Sequence, residues 1–485
     1  MPSRDLLSRP RRPRRTPGLR AALAAVSGVV LTVAAGCTAG PPAAAPAPRT
    51  APPQPAFRQP RELVARNGAL KVRLVVESRM VRLAGRRVRA MTYNGDYMPP
   101  TIRMRPGDRL DLDLVNRLSE HTNLHTHGWH VSPTGDSDNP YLHIAPGETY
   151  HYTFRVPGNM APGTYWYHSH AHPNAEPQVF AGLSGAIVID GLDRHLPRGL
   201  RGVTRRLIAL KDFQLDGDAI RTQDIDSGAP TTRTVNGLVD PAVPIRPGET
   251  QLWRLANLGA DIAYNVWLEG VRFHVIAQDA SPVSTVWSAD TLLMPPGSRF
   301  DVLVQGPPAG RTRLVTLPYG TGPDGDSYPG ATLATLVSSG PAMTPARLPA
   351  RFAPYHDLRG EPVARRRTVT FSEDAGTGRF FIDGRLFAPD RIDARAKLNT
   401  TEEWRLRNAS REEHTFHIHV NHFQVISVNG RPYPARGGQD TVQLPAGGEV
   451  VIRMRFLDFT GKYPFHCHIL NHEDRGMMAN IEVVP

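Results

Sequence analysis

The chain has 485 residues, a formal net charge of +12, two cysteines and nineteen histidines. Its length exceeds one typical domain, and 43 glycines with 46 prolines punctuate it too often for a long-helix protein. Two cysteines exclude a disulfide scaffold, a four-cysteine zinc site and a cysteine-ligated iron–sulfur cluster.

Residues 1–36 carry Arg4, Arg9, Arg11, Arg12, Arg14, Arg15 and Arg20 against Asp5 alone, and end in an uncharged run, AALAAVSGVVLTVAAG. The run falls short of the roughly 20 apolar residues that span a bilayer. A basic segment, a short apolar segment and small terminal residues make an export signal. Val33-Ala34-Ala35-Gly36-Cys37 resembles a bacterial lipobox, in which the cysteine becomes the lipidated first residue, although Ala34 stands where leucine is commonest. Arg14-Arg15 looks like a twin-arginine signal. The alternative is an ordinary secretory signal with Cys37 a small residue near the cut. The expected location is therefore the bacterial cell envelope, anchored through Cys37, or else secreted or periplasmic. Loss of residues 1–36 leaves a net charge of +6 and no Lys/Arg stripe with interleaved aromatics, so no nucleic-acid partner is expected. Residues 37–60 are a Pro/Ala-rich, semi-rigid tether.

From residue 61 onward, short alternating segments between Pro-Gly and Asn-Gly turns predict an all-β chain of sandwiches or barrels. One pattern occurs three times. Tyr93-Asn94-Gly95 leads through Pro106-Gly107-Asp108 to Asn116. Val235-Asn236-Gly237 leads through Pro247-Gly248-Glu249 and Trp253 to Asn257. Ile382-Asp383-Gly384 leads to Trp404 and Asn408, with Asn399-Thr400 in place of the Pro-Gly step. Three similar β domains are expected at 61–192, 193–345 and 346–485. The asparagines should satisfy backbone groups at turns, and Trp253 and Trp404 should be core residues.

The repeat registers the histidines. His125 and His127 follow Asn116 by nine and eleven residues, and His417 and His419 follow Asn408 by the same offsets. At those offsets from Asn257 stand Val266 and Leu268. Later, Gly163-Thr-Tyr165-Trp-Tyr-His168-Ser-His170 matches Gly461-Lys-Tyr463-Pro-Phe-His466-Cys-His468. Residues i and i+2 of a strand share a face, so each HxH pair aims two imidazoles at one place. Four pairs give a nitrogen-rich metal cluster: His125, His127, His168, His170, His417, His419, His466 and His468. Cys467 points the other way, and so does His414, an odd offset before His417. His472 follows Cys467 by five residues and Met477 follows His472 by five. Two imidazoles, a thiolate and a thioether are the donor set of a blue-copper electron-transfer site. The two sites are joined through His466-Cys467-His468.

HTHG from His125, HSH from His168, HTFHIH from His414 and HCHILNHEDRGMM from His466 resemble the four copper signatures of the multicopper oxidases, in particular three-domain bacterial laccases and copper-efflux oxidases. The resemblance covers residues 61 to 485. It implies three cupredoxin-like Greek-key β-sandwiches and four copper ions. His414, Cys467, His472 and axial Met477 would hold type 1 copper, and His125 and His417 type 2. His127, His168, His170, His419, His466 and His468 would hold the type 3 pair. The implied activity is one-electron oxidation of a phenol, an aromatic amine or a metal ion such as cuprous, coupled to reduction of dioxygen to water. Family members place acids near the cluster to deliver protons. Asp138 matches one, with Asp136 its close rival, and Glu473 matches a second. Ferroxidases place acids near the type 1 histidine, for which Asp440, Glu473 and Asp474 are candidates by proximity in sequence. His130 and His172, beside ligand motifs, are candidates to orient ligands by hydrogen bonds. The competing readings are a non-catalytic envelope scaffold and a copper-sequestering tolerance protein. No methionine-rich segment, common in copper-efflux oxidases, is present among the 11 methionines.

Overall fold

The computed structural model describes residues 54–485; the export segment, Cys37 and the tether to residue 53 lie outside the described residues. The architecture is all-β, built from three pairs of sheets and one two-stranded ribbon, Tyr319–Gly320 with Ser327–Tyr328. Among the described residues, no helix is long and apolar enough to cross a membrane.

In the first pair, a six-stranded sheet built on Ala69–Leu83, Arg86–Tyr93, Arg109–Asn116 and Thr149–Arg155 faces a five-stranded sheet. The latter runs Glu62–Val64, Thr101–Met104, Ser184–Ile189, Gly163–His168, His125–His127. The sequence RLDLDLVN explains the inner face of Arg109–Asn116: Leu110, Leu112 and Leu114 alternate inward, fully buried, and the charged residues between them turn out. They meet Ile102, Tyr165, Ile187 and Ile189 of the facing sheet in one core. The middle and third pairs repeat the plan, with their own cores around Trp253 and Trp404.

The repeated asparagines make one corner three times. Asn116 donates through Nδ2 to Glu120 O and Ile144 O and accepts from Leu118 N. Asn257 donates to Ile262 O and Met294 O and accepts from Gly259 N. Asn408 donates to Glu412 O and Leu444 O and accepts from Ser410 N. Each is 0–1 % exposed, so three backbone groups that water cannot reach are satisfied by one side chain.

Two details depart from the sequence reading. Residues 54–60, expected as the end of a free tether, are held against the middle pair. Phe57 N donates to Ala242 O, and Gln59 bonds Arg205 O and Leu207 N. The hairpin Leu215–Asp216 and Ala219–Ile220 extends a sheet of the first pair, with Ala219 beside Arg89, although it lies within 193–345.

Candidate metal centre

The two HxH pairs of each flanking repeat lie on adjacent strands. His125–His127 runs antiparallel to Gly163–His168, with His125 opposite His168. His414–Ile418 runs antiparallel to Gly461–Cys467, with His417 opposite His466. The eight imidazoles are all buried, 0–2 % exposed. Rings from the first and third repeats interleave: His125 stacks on His419 and His127 on His417, each with centroids 3.8 Å apart.

Nitrogen atoms converge. Nε2 of His170, His419 and His466 lie 3.2–3.3 Å from one another. Three such nitrogens cannot satisfy one another with N–H bonds, because each must be a donor or an acceptor, but one cation satisfies all three lone pairs. His468 Nε2 lies 3.1 Å from His127 Nδ1. Nε2 of His125, His168 and His417 are buried with no hydrogen-bond partner. Burial, then repulsion by neighbouring imidazoles, holds His125, His127, His419 and His468 well below their usual pKa, and burial brings His168 down to about 3. Neutral, unpartnered, convergent imidazoles fit copper.

The second group lies on the other side of the strand. His414 Nδ1 is 3.2 Å from His472 Nδ1, which is 3.7 Å from Cys467 Sγ. Burial lowers both histidines and raises the Cys467 thiol, so the thiol gives up its proton only to a thiophilic cation. Met477 is fully buried in the same core, and its carbonyl accepts from Cys467 N. Met478 instead pairs with His466 in the sheet. The outward Nε2 of His414 meets Ser410 Oγ at 3.0 Å, and that of His472, whose ring stacks on Phe380, lies 3.6 Å from Glu412 Oε2.

The acids separate by place. Asp138 bonds His125 Nδ1 at 3.0 Å and Thr126 N at 2.9 Å, and burial pushes its carboxyl up to about 8. Asp136 is exposed and reaches no ligand histidine. Glu473 Oε2 is 3.0 Å from His466 Nδ1, and Oε1 is 3.6 Å from His170 Nε2. Burial works against the Glu473 charge, but His170 and His466 outweigh it and hold the carboxyl at about 2.

The three acids suggested for the type 1 side lie elsewhere. Asp440 and Glu473 sit at the histidine cluster, and Asp474 accepts from Ala175 N and Glu176 N. Chain proximity misled here because Glu473 and Asp474 share the short helix Leu470–Asp474 with His472 but leave it in other directions. The acid at His472 is Glu412, pushed up to about 8 by burial and then by Glu373 and Asp326. Its position two residues before His414 was a signal the sequence held. The His172 ring lies 3.6 Å from Asp474 and that of His130 bonds Val420 O and Asp458, so neither ring is hydrogen-bonded to a ligand ring; His172 touches a ligand residue only through its backbone, N donating to His170 O. A cavity of about 150 Å³, lined by His121, Asn123, His143, Phe387 and Met478, reaches His170.

Family sequence profiles described as multicopper oxidase match residues 75–194, 211–341 and 361–485. Multicopper oxidase mco of Staphylococcus haemolyticus is 29 % identical over 401 residues, spanning 81 % of this chain and 83 % of its own. The cell division protein FtsP of Edwardsiella tarda is 30 % identical over 427 residues, spanning 83 % and 87 %. Among solved structures, a metallo-oxidase from Campylobacter jejuni superimposes with a TM-score of 0.78 at 28 % identity, covering 89 % of this chain and 96 % of its own. A laccase from Pediococcus acidilactici gives 0.76 at 26 %, covering 89 % and 93 %. With its two donor groups back to back and all three profiles matched in order, the chain belongs to the multicopper oxidase family.

Proposed function

We propose that this chain is a copper oxidase that withdraws electrons singly from a reducing donor at the Cys467 group and spends them at the histidine cluster in reducing dioxygen to water. In this reading His414, Cys467, His472 and Met477 hold type 1 copper, and His125 and His417 hold type 2. The type 3 pair is held by His127, His168, His170, His419, His466 and His468, making four ions. Residues 61–192, 193–345 and 346–485 are then three cupredoxin-like domains. Copper, when bound, supplies the one-electron redox chemistry.

The observation that carries the reading is the shared strand. Cys467 belongs to one group while His466 and His468, bonded to it through single peptide links, belong to the other. A sequestering site has no need of such a link. The chain's own groups cover the remaining needs of the reaction. Reduction of dioxygen to two waters consumes four protons; Asp138, its carboxyl pushed up to about 8, is suited to hold one at its Oδ atoms, and ionised Glu473, against His466, is suited to accept one in passing at its Oε atoms. The cavity at His170 is a small-molecule approach to the cluster.

The donor side is acidic. Glu412, with Glu373 and Asp326 around it, stands where a donor would approach His472 Nε2. Above about pH 8, where the Glu412 carboxyl ionises, negative charge there favours a cationic donor, such as a cuprous or ferrous ion, over an anionic phenolate. The segment 1–36 and Cys37 support export and a lipid anchor, which incorporation of labelled fatty acid, lost in Cys37→Ala, would report.

Oxygen uptake by copper-loaded protein tests the reading, with phenolic, ferrous and cuprous donors side by side. An intensely blue protein that consumes oxygen is expected, with both properties lost in Cys467→Ser. A colourless protein, or full activity in that variant, sinks it. The second reading, a non-catalytic cell-envelope role, is favoured by the FtsP relative and predicts no uptake with any donor.

A further inference from the structure

We propose that Arg299 and Asp440 form a positioning pair that decides which nitrogen His127 turns toward the cluster, bringing the middle repeat, which supplies no cluster histidine, into the site. The inference rests on the copper reading above.

Seven of the eight rings present Nε2. His125, His168, His417 and His466 each turn Nδ1 away, to Asp138, Ser169 O, Asp440 O and Cys467 O. His170, His419 and His468 present Nε2 directly to a neighbouring ring. His127 is reversed: Nδ1 faces His468 Nε2, while Nε2 lies 3.2 Å from Asp440 Oδ1 and 3.4 Å from Thr441 Oγ. An ionised carboxylate only accepts, so its neighbour must be the ring's N–H. A neutral imidazole has one N–H, so donation from Nε2 leaves the Nδ1 lone pair as the donor to a metal. The same residue acts a second time through its backbone, since Asp440 O accepts from His417 Nδ1 at 2.8 Å and leaves His417 Nε2 facing the cluster.

Asp440 is itself fixed by a fork. Arg299 Nη1 and Nη2 donate to its two oxygens at 2.6 and 2.7 Å, and neither side chain is more than 2 % exposed. A planar guanidinium holds both oxygens at once, which an ammonium cannot do. Arg299 opens the middle strand Arg299–Gln305 and also donates through Nε to Thr164 O of the first repeat. One guanidinium therefore ties all three repeats together beside the cluster. The backbone is cleared for it. Gly128, the glycine of HTHG, has φ +83°, and a Cβ there would come within 2.5 Å of Asp440 Oδ2 and 2.6 Å of Arg299 Nη2. At Gly297, φ +85°, a Cβ would stand 3.0 Å from the His127 ring.

Asp440→Asn removes the charge and one arm of the fork; Arg299→Lys keeps the charge and loses the fork. Copper per chain is counted after dialysis against graded chelator, blue absorbance reports the Cys467 group, and electron paramagnetic resonance reports cluster geometry. Both variants are expected to keep wild-type blue absorbance and circular dichroism. They should lose cluster copper at about 10- to 100-fold lower chelator, the range seen when a partner of a metal-ligating histidine is removed, with an altered cluster signal. Retention of cluster copper with a wild-type signal overturns the inference. So does loss of blue absorbance in step with cluster copper in both variants. A wild-type chain that takes up no cluster copper is a different failure, since it removes the copper reading itself.

Discussion

The middle and third sheet pairs share one plan, and of the two only the third carries HxH pairs. In both, a strand ending in the corner asparagine runs parallel to the strand before it and antiparallel to the one after, Thr250–Asn257 in one and Thr400–Asn408 in the other. In both, a buried indole two residues past a polar side chain donates to it, Trp253 to Gln251 and Trp404 to Glu402. Where the third repeat places His417 and His419, the middle one places Val266 and Leu268, each fully buried. The fold therefore closes perfectly well around two aliphatic side chains. Buried polar rings are costly unless paired, so their presence in the third repeat answers to chemistry and not to packing.

The sharpest way to break the comparison is to make the third repeat imitate the middle one. His417→Val with His419→Leu should fold, stay blue at Cys467, and lose cluster copper together with oxygen uptake. The loss should exceed about 100-fold, since removing even the partners of ligands costs 10- to 100-fold in affinity or activity. Copper counting and oxygen electrode measurements on the same preparation check it. Uptake within tenfold of wild type would contradict the assignment of these two rings.

The shared corner offers the converse test. Asn257→Ala and Asn408→Ala each orphan two buried carbonyls and one amide, and each should cost about 2–3 kcal/mol or more of stability in the copper-free protein. Urea unfolding should give similar losses for the two. A large difference would show that the corners are not equivalent structural devices.

The histidine cluster was legible in the chain because strand periodicity and repeat register are both local, and HxH spacing turns directly into shared direction. The Cys467 group was legible for the same reason. The acids were only half legible. Asp138 could be narrowed to two neighbours, but its selection over Asp136 depends on which carboxyl turns inward beside Thr126. Asp440 and Arg299 carry no local signature: they are 141 residues apart, and their meeting at His127 is a product of how three repeats pack. Glu412 was passed over for residues adjacent to His472, although the strand beginning at His414 brings Glu412 closer to its ring.

Glu412 sharpens the comparison on the donor side, since the middle repeat has no redox group to serve. Above about pH 8, where its carboxyl is ionised, Glu412→Gln should raise KM for ferrous or cuprous donors by about tenfold, the loss of roughly 1.4 kcal/mol of charge attraction at a partly buried site, and the effect should shrink as pH falls below that value. KM for a neutral phenol should stay within about twofold, by the same reasoning. Steady-state oxygen uptake with both donor classes separates the cases. An equal change for both would assign Glu412 to support of the His472 ring instead of donor attraction.

The smallest expected effect concerns how the middle repeat is fastened to the first. Lys211, 1 % exposed, lies on the middle strand Arg205–Phe213 and donates through Nζ to Tyr97 O, Gly182 O and Ser184 O of the first repeat. Burial brings its pKa from the usual 10.5 down to about 7, with Asp212 opposing the shift. The folded value is then below the unfolded one. Between pH 7 and 10.5 the unfolded chain holds a proton that the folded chain has released, so the Lys211 contribution to stability rises with pH through that window and is lost as pH falls toward 7. Lys211→Met removes this titration while keeping the length of the side chain. Wild type should therefore gain on the variant, by a few degrees in Tm at most, when melts at pH 7 are compared with melts at pH 10. A constant difference across the window would mean that the lysine keeps its charge when buried, and that three carbonyl oxygens are enough to hold it.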